Sequence, residues 1–229
     1  MTARVQRTPD QFAGDLSQLA AVDWATIWAG DGCTDDPARW AARAGWRLTH
    51  IDGDLNLTVT LASGGEVTLF RYHGGTRFDG ASDVVWQRSA TRAGENPAVV
   101  ADVLAAWPSY LAAAETALGR PDHTVHDGAG AGLPDLPYWP ADPAARAAQR
   151  TPVRAAVWSW PAQGAVVTVR VNLAARTAGT RGPGSASIRF VISELPDPQG
   201  SSRAITFTGA RSGRPACAAS RRAGPVRPG

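Results

Sequence analysis

Metal chemistry has one candidate stretch, Asp122-His123-Thr124-Val125-His126-Asp127. Imidazole and carboxylate are zinc-ligand types, yet a structural zinc site needs four ligands and a catalytic site three plus water. The stretch follows a helix stop at Leu118, Gly119 and Pro121, so it reads as a solvated loop and no metal is assigned. Asp52-Gly53-Asp54-Leu55-Asn56 imitates the start of a calcium loop. The imitation fails where Leu57 replaces the sharp-turn glycine and Ser63 stands in place of the bidentate glutamate. The same residues make a good hairpin turn.

Phosphate and nucleophile motifs are missing. The chain has no lysine, which removes the P-loop. Gly128, Gly130 and Gly132 lead into Leu-Pro-Asp rather than a helix, which removes the dinucleotide fingerprint. No Gly-x-Ser-x-Gly elbow occurs. Cys33 precedes Asp35 and Asp36 rather than a base, a setting that does not favour a thiolate. No catalytic residue, cofactor site or metal site is therefore assigned.

What remains is a polar surface carried on strands. Asn56, Thr58 and Thr60 alternate with Leu55, Leu57, Val59 and Leu61. Thr168, Arg170 and Asn172 alternate with Val167, Val169, Val171 and Leu173. Period-two alternation places one side of each strand in the core and the other in water. If both strands share a sheet, Thr58, Thr60, Thr168, Arg170 and Asn172 lie on one wet face, and Arg170 can anchor an acidic partner.

The elements that carry these strands follow from turn and cap chemistry. Thr8, Pro9 and Gln11 form a capping-box start for a helix whose stripe is Phe12, Leu16 and Leu19. Trp24, Ile27 and Trp28 continue a helical spacing, and Asp35-Asp36-Pro37 opens a short helix stopped by Gly45. Strands are expected at 46–51, 55–61 and 66–72, with a fourth around Val84 to Trp86. Asn96-Pro97 begins the longest helix, with a kink or break expected at Pro108. Residues 120–152 read as a Gly- and Pro-rich loop with a turn or two of helix. Three more strands follow at 153–160, 167–173 and 188–193. Trp158 and Trp160 share a parity and read as core, provided each indole N–H finds an acceptor. Helix followed by strands thus occurs twice.

Charge divides unevenly. The 23 basic residues are all Arg and oppose 20 acidic ones. Residues 201–229 hold six Arg and no acid, whereas residues 1–200 hold 17 Arg against all 20 acids, a net of −3. A basic body would suggest nucleic acid, and this body is not basic. The tail reads as disordered, with at most a charge-driven contact to phosphates. Two cysteines far apart, Cys33 and Cys217, fit a reducing cytoplasmic setting better than a disulfide. No signal peptide is read at the N-terminus, and composition argues against a membrane span.

The order of these elements, with Ala44-Gly45-Trp46, Leu118-Gly119-x-Pro121 and the Trp158/Trp160 strand, resembles a family of uncharacterised actinobacterial proteins that share a domain of unknown function. The similarity spans roughly residues 8–196. In topology alone the order is similar to the α-β-β-β-α-β-β arrangement of type III secretion chaperones. The resemblance implies a partner binder, such as an immunity protein that neutralises a cognate toxin or a chaperone holding a client. The 120–152 insertion and the Arg-rich tail depart from the pattern.

The expectation is one α+β domain over 8–198, with helices on one face of a mainly antiparallel sheet, followed by the 201–229 tail. The favoured function is non-catalytic protein binding in the cytoplasm. An enzyme with a dispersed site is the runner-up, and nucleic-acid association through the tail is the third reading.

Overall fold

A computed structural model describes residues 2–30, 33, 35–53, 56–71, 77–126, 154–173 and 182–195. The elements run β1 (Thr2–Val5), α1 (Pro9–Ala20), α2 (Trp24–Ala29), α3 (Pro37–Arg43), β2 (Arg47–Asp52), β3 (Asn56–Thr60), β4 (Glu66–Phe70) and β5 (Gly80–Ser89). After these come α4 (Asn96–Leu118), β6 (His123–His126), β7 (Arg154–Trp160), β8 (Ala165–Leu173) and β9 (Ser185–Glu194). The fold is α+β, and every strand pair is antiparallel.

The sheet runs β2-β3-β4-β5-β9-β8-β7-β6. Two four-strand meanders, each preceded by helix, meet where β5 pairs with β9. The repetition of helix and strands in the sequence is therefore real architecture. One edge of β5 is divided: Ser82, Ala81 and Gly80 pair with β4, and Trp86 to Ser89 pair with β1. Asp83 lies in the notch between them, beside a bulge in the β5–β9 pairing at Val84/Trp86.

Directly opposed residues in antiparallel strands share a face, so register sorts the side chains. Ile51, Leu57, Leu69, Ala81, Ile192, Val167 and Trp158 form one transverse row. All of these but Ile51 pack with residues of the helices in one large core. The neighbouring row points to the opposite, outer face and reads His50, Thr58, Thr68, Ser82, Val191, Thr168, Val157 and His123.

The helix caps match the sequence signals. Thr8 and Gln11 form a reciprocal capping box, Asp36 caps α3, and Gly45 closes it at φ 75°. On α1, Phe12, Leu16 and Leu19 are fully buried, and α4 adds Val99, Val103, Trp107 and Tyr110. An aromatic group of Trp24, Trp28, Trp40, Trp46 and Phe78 fills the space beside α2 and α3.

Three expectations need correction. First, α4 continues through Pro108 without a break. Pro108 is exposed, so its ring sits on the solvent side of the helix, where a lost backbone bond is replaced by water. Second, residues 2–5 form β1, a strand the sequence reading lacks, because four residues are too few for alternation to stand out. Third, residues 123–126 form β6 rather than loop. By length and composition the helical stretch Ala93–Leu118, which contains α4, is apolar enough to cross a bilayer. In the fold its apolar stripe packs on protein, and Asp102 pairs with Arg88 of β5.

Trp158 is core as expected, and its indole donates to the Gly119 carbonyl at 2.8 Å. Trp160 is half-buried against the same core. The 201–229 tail, and 127–152 of the insertion, lie outside the described residues.

Candidate interaction surface

The outer face brings the anticipated residues together in part. Thr58 and Thr60 of β3 share it with Thr168, Arg170 and Asn172 of β8, as the alternation implied. Strands β4, β5 and β9 stand between the two groups. Four strand spacings separate them by about 19 Å, so they form two sites rather than one.

The β3 group is a hydroxyl patch. Thr58 and Thr68 approach to 3.4 Å between their Oγ1 atoms, and both are half-buried. Phe70, opposite Gly80 on the same face, lies over that glycine so closely that a Cβ there would collide with the ring.

The β8 group departs from a plain wet face. Thr168 is only 5% exposed. Around it Val125, Ala155, Val157 and Val166 form a second, smaller apolar cluster, against which Leu195 packs. Both faces of β7 and β8 are thus buried at this end, which is why Val166 and Ala155 read as exceptions to the alternation. Thr168 is thus the most buried of the five anticipated face residues. Arg170 and Asn172 are half-buried and remain at the surface.

Arg170 stands directly opposite Arg189 of β9. Asn172 stands opposite Ser187, one step further along the same face. In the sequence Arg189 is a polar residue between Ile188 and Phe190, and nothing in local periodicity reveals its cross-strand partner. Burial pushes the Arg189 guanidinium down from its usual range, while Asp83 pulls it back up. Asp83 is itself pushed up to about 6, mainly by burial. The Val84 N–H and Arg189 favour its charged form, and Glu66 and Asp15 oppose it.

A second polar cluster pins the notch from the helix side. Arg7 donates to both Asp15 carboxylate oxygens at 2.7 Å. Ser63 donates to the same carboxylate, and the Tyr110 hydroxyl donates to the Arg7 carbonyl at 2.6 Å. With Arg7 and Ser63 both donating to Asp15, and Tyr110 holding the Arg7 backbone, the cluster is a structural clamp joining α1, α4 and the β3–β4 turn.

Cys33 and Arg71 were not linked by any sequence signal, being 38 residues apart. Arg71 is 8% exposed, donates to the Cys33 sulfur at 2.9 Å and lies 4.3 Å from the centre of the Phe78 ring. Burial pushes the Cys33 thiol up, against the pull of Arg71. A raised value favours the protonated thiol over the thiolate.

Of the candidate metal and calcium stretches, Asp127, Asp54 and Leu55 lie outside the described residues. Positions 123 and 126 are three apart in a strand and so belong to opposite faces. Asp52 and Asn56 are opposed across the β2–β3 hairpin. Among the described residues no group of three or more His, Cys, Asp or Glu could hold a metal ion. Comparison with protein-family models, curated proteins and solved structures yields no match.

Proposed function

We propose that this chain is a non-catalytic, partner-binding protein of immunity or chaperone type, acting in the cytoplasm, and that its outer sheet face receives an acidic protein partner. The observation that carries the reading is the direct opposition of Arg170 and Arg189. Two guanidinium groups presented side by side on one face match a carboxylate, which accepts bidentate hydrogen bonds from guanidinium. Asn172 and Ser187, opposed beside them, offer amide and hydroxyl groups at the rim. A toxin or client with an acidic loop or helix end fits this chemistry.

Affinity capture from the native host supplies the partner, and charge reversal tests the surface. Arg189→Glu and Arg170→Glu should each weaken the captured partner, chiefly by slowing association at low salt. Arg120→Glu, at an exposed position after α4, serves as the control. Partner affinity that drops equally in all three variants, or in none, sinks the reading.

A further inference from the structure

The end strand β2 is open to solvent: Arg47, Thr49, His50, Ile51 and Asp52 are exposed, and Leu48 is half-buried. Ile51 is 47% exposed, the one large exposed hydrophobic residue among those described. On one side β2 pairs with β3, and no described strand lies beyond its other side. Such an edge is a template for a further strand, and native sheets usually blunt it with charge or a bulge.

The β2 edge has an unusual order of faces. The β2–β3 register shifts between Leu48 and His50, so Thr49 is a bulge. Arg47, His50 and Asp52 oppose Thr60, Thr58 and Asn56 and therefore lie on the outer face. Leu48 and Ile51 oppose Val59 and Leu57 and lie on the core face. In a regular strand, positions 47 and 52 would fall on opposite faces, as would 48 and 51. The bulge brings each of these pairs to a common face.

We propose that β2 pairs with β2 of a second copy of this chain, antiparallel about a two-fold axis perpendicular to the sheet. In the register centred between Thr49 and His50, Arg47 faces Asp52 of the other copy on the outer face. Leu48 faces Ile51 of the other copy on the core face, and Thr49 faces His50. Each contact occurs twice, as a two-fold interface requires. Opposite charges meet, apolar side chains meet, and the faces agree only because of the bulge. A regular six-residue strand has no two-fold register between two residues that keeps opposed side chains on one face. The exposed Ile51 gains cover, and the sheet runs on through both copies. A ladder of six residues is short for a permanent interface, so association is expected in the micromolar range rather than the nanomolar.

Charge reversal tests the register itself. Sedimentation equilibrium of the full chain should show the mass rising toward twice the monomer value with concentration. Arg47→Asp alone puts two acids on every copy of the edge, and Asp52→Arg alone puts two bases. Each should weaken self-association at least tenfold, with unchanged thermal unfolding because both positions are exposed. Mixed one to one, the two variants should associate with each other as tightly as the unaltered chain does with itself. The doubly reversed chain should also recover self-association, and Ile51→Lys should abolish it. A monomer at every concentration overturns the proposal, because the bulge then serves to protect the edge. A dimer indifferent to the single reversals, or single variants that fail to associate when mixed, overturns it equally.

Discussion

Arg170 and Arg189 face each other across the β8–β9 ladder, and Arg189 in turn pulls on the buried carboxyl of Asp83. The charges on the outer face and in the β5 notch are thereby coupled. Arg189→Met removes the attraction that lowers the Asp83 carboxyl, so its titration should move above about 6. The carboxyl carbon resonance of Asp83 followed against pH checks this. A midpoint that stays put or falls would show that the two groups do not interact.

Asp83 makes stability depend on pH. Its folded value of about 6 lies above its ordinary 3.8, so the folded chain holds this proton more tightly than the unfolded chain. The contribution is fully present below pH 3.8 and is lost as pH rises through about 6. The loss is on the order of 2–3 kcal/mol once Asp83 is ionised. Asp83→Asn keeps an acceptor for the Val84 N–H and has no charge to bury. The variant should match the unaltered chain near pH 4 and exceed it at pH 8 by roughly that amount in urea unfolding. Equal stability at both pH values contradicts the burial of a charge here.

The Asp15 carboxylate is 4% exposed and held by Arg7 and Ser63. Asp15→Ala should cost about 3–5 kcal/mol, because it leaves Arg7 buried without its anion. A Cβ at Gly65 would stand 2.5 Å from the same carboxylate, which its partners hold in place. Gly65→Ala should therefore cost about 1–3 kcal/mol. The two losses should not add, since the second substitution meets no carboxylate once Asp15 is gone. Thermal unfolding of the two single variants and the double variant measures the coupling.

Arg71 is a buried cation whose partners are a neutral thiol and an aromatic ring. Arg71→Met removes the cost of burying charge together with the ring contact, and stability should change by less than about 1 kcal/mol. Cys33 should then ionise at still higher pH, because the group that lowers its value is gone. The Cβ resonance of Cys33 titrated against pH reads the shift, and a lower midpoint would contradict the assignment.

Local chemistry was enough for much of this fold. The Thr8–Gln11 box, the Asp36-Pro37 start, the Gly45 and Gly119 stops and the alternations around Thr58 and Thr168 all act over a few residues. They can be read from neighbours alone. The same alternation placed Thr58, Thr60, Thr168, Arg170 and Asn172 on one face, which the register bears out. What alternation cannot contain is which strand lies beside which. The β5–β9 junction separates the two polar groups and leaves β2 at the rim of the sheet, and the β8–β9 register opposes Arg189 to Arg170. The contact of Arg71 with Cys33 is equally invisible in local spacing. Burial of Thr168 had a further cause: an apolar cluster on the second face, built from Val125, Ala155, Val157 and Val166 of three different strands. Periodicity reports how one strand divides its side chains between two faces. Which face stays wet is decided by what packs against it, and that depends on contacts between residues far apart in the chain.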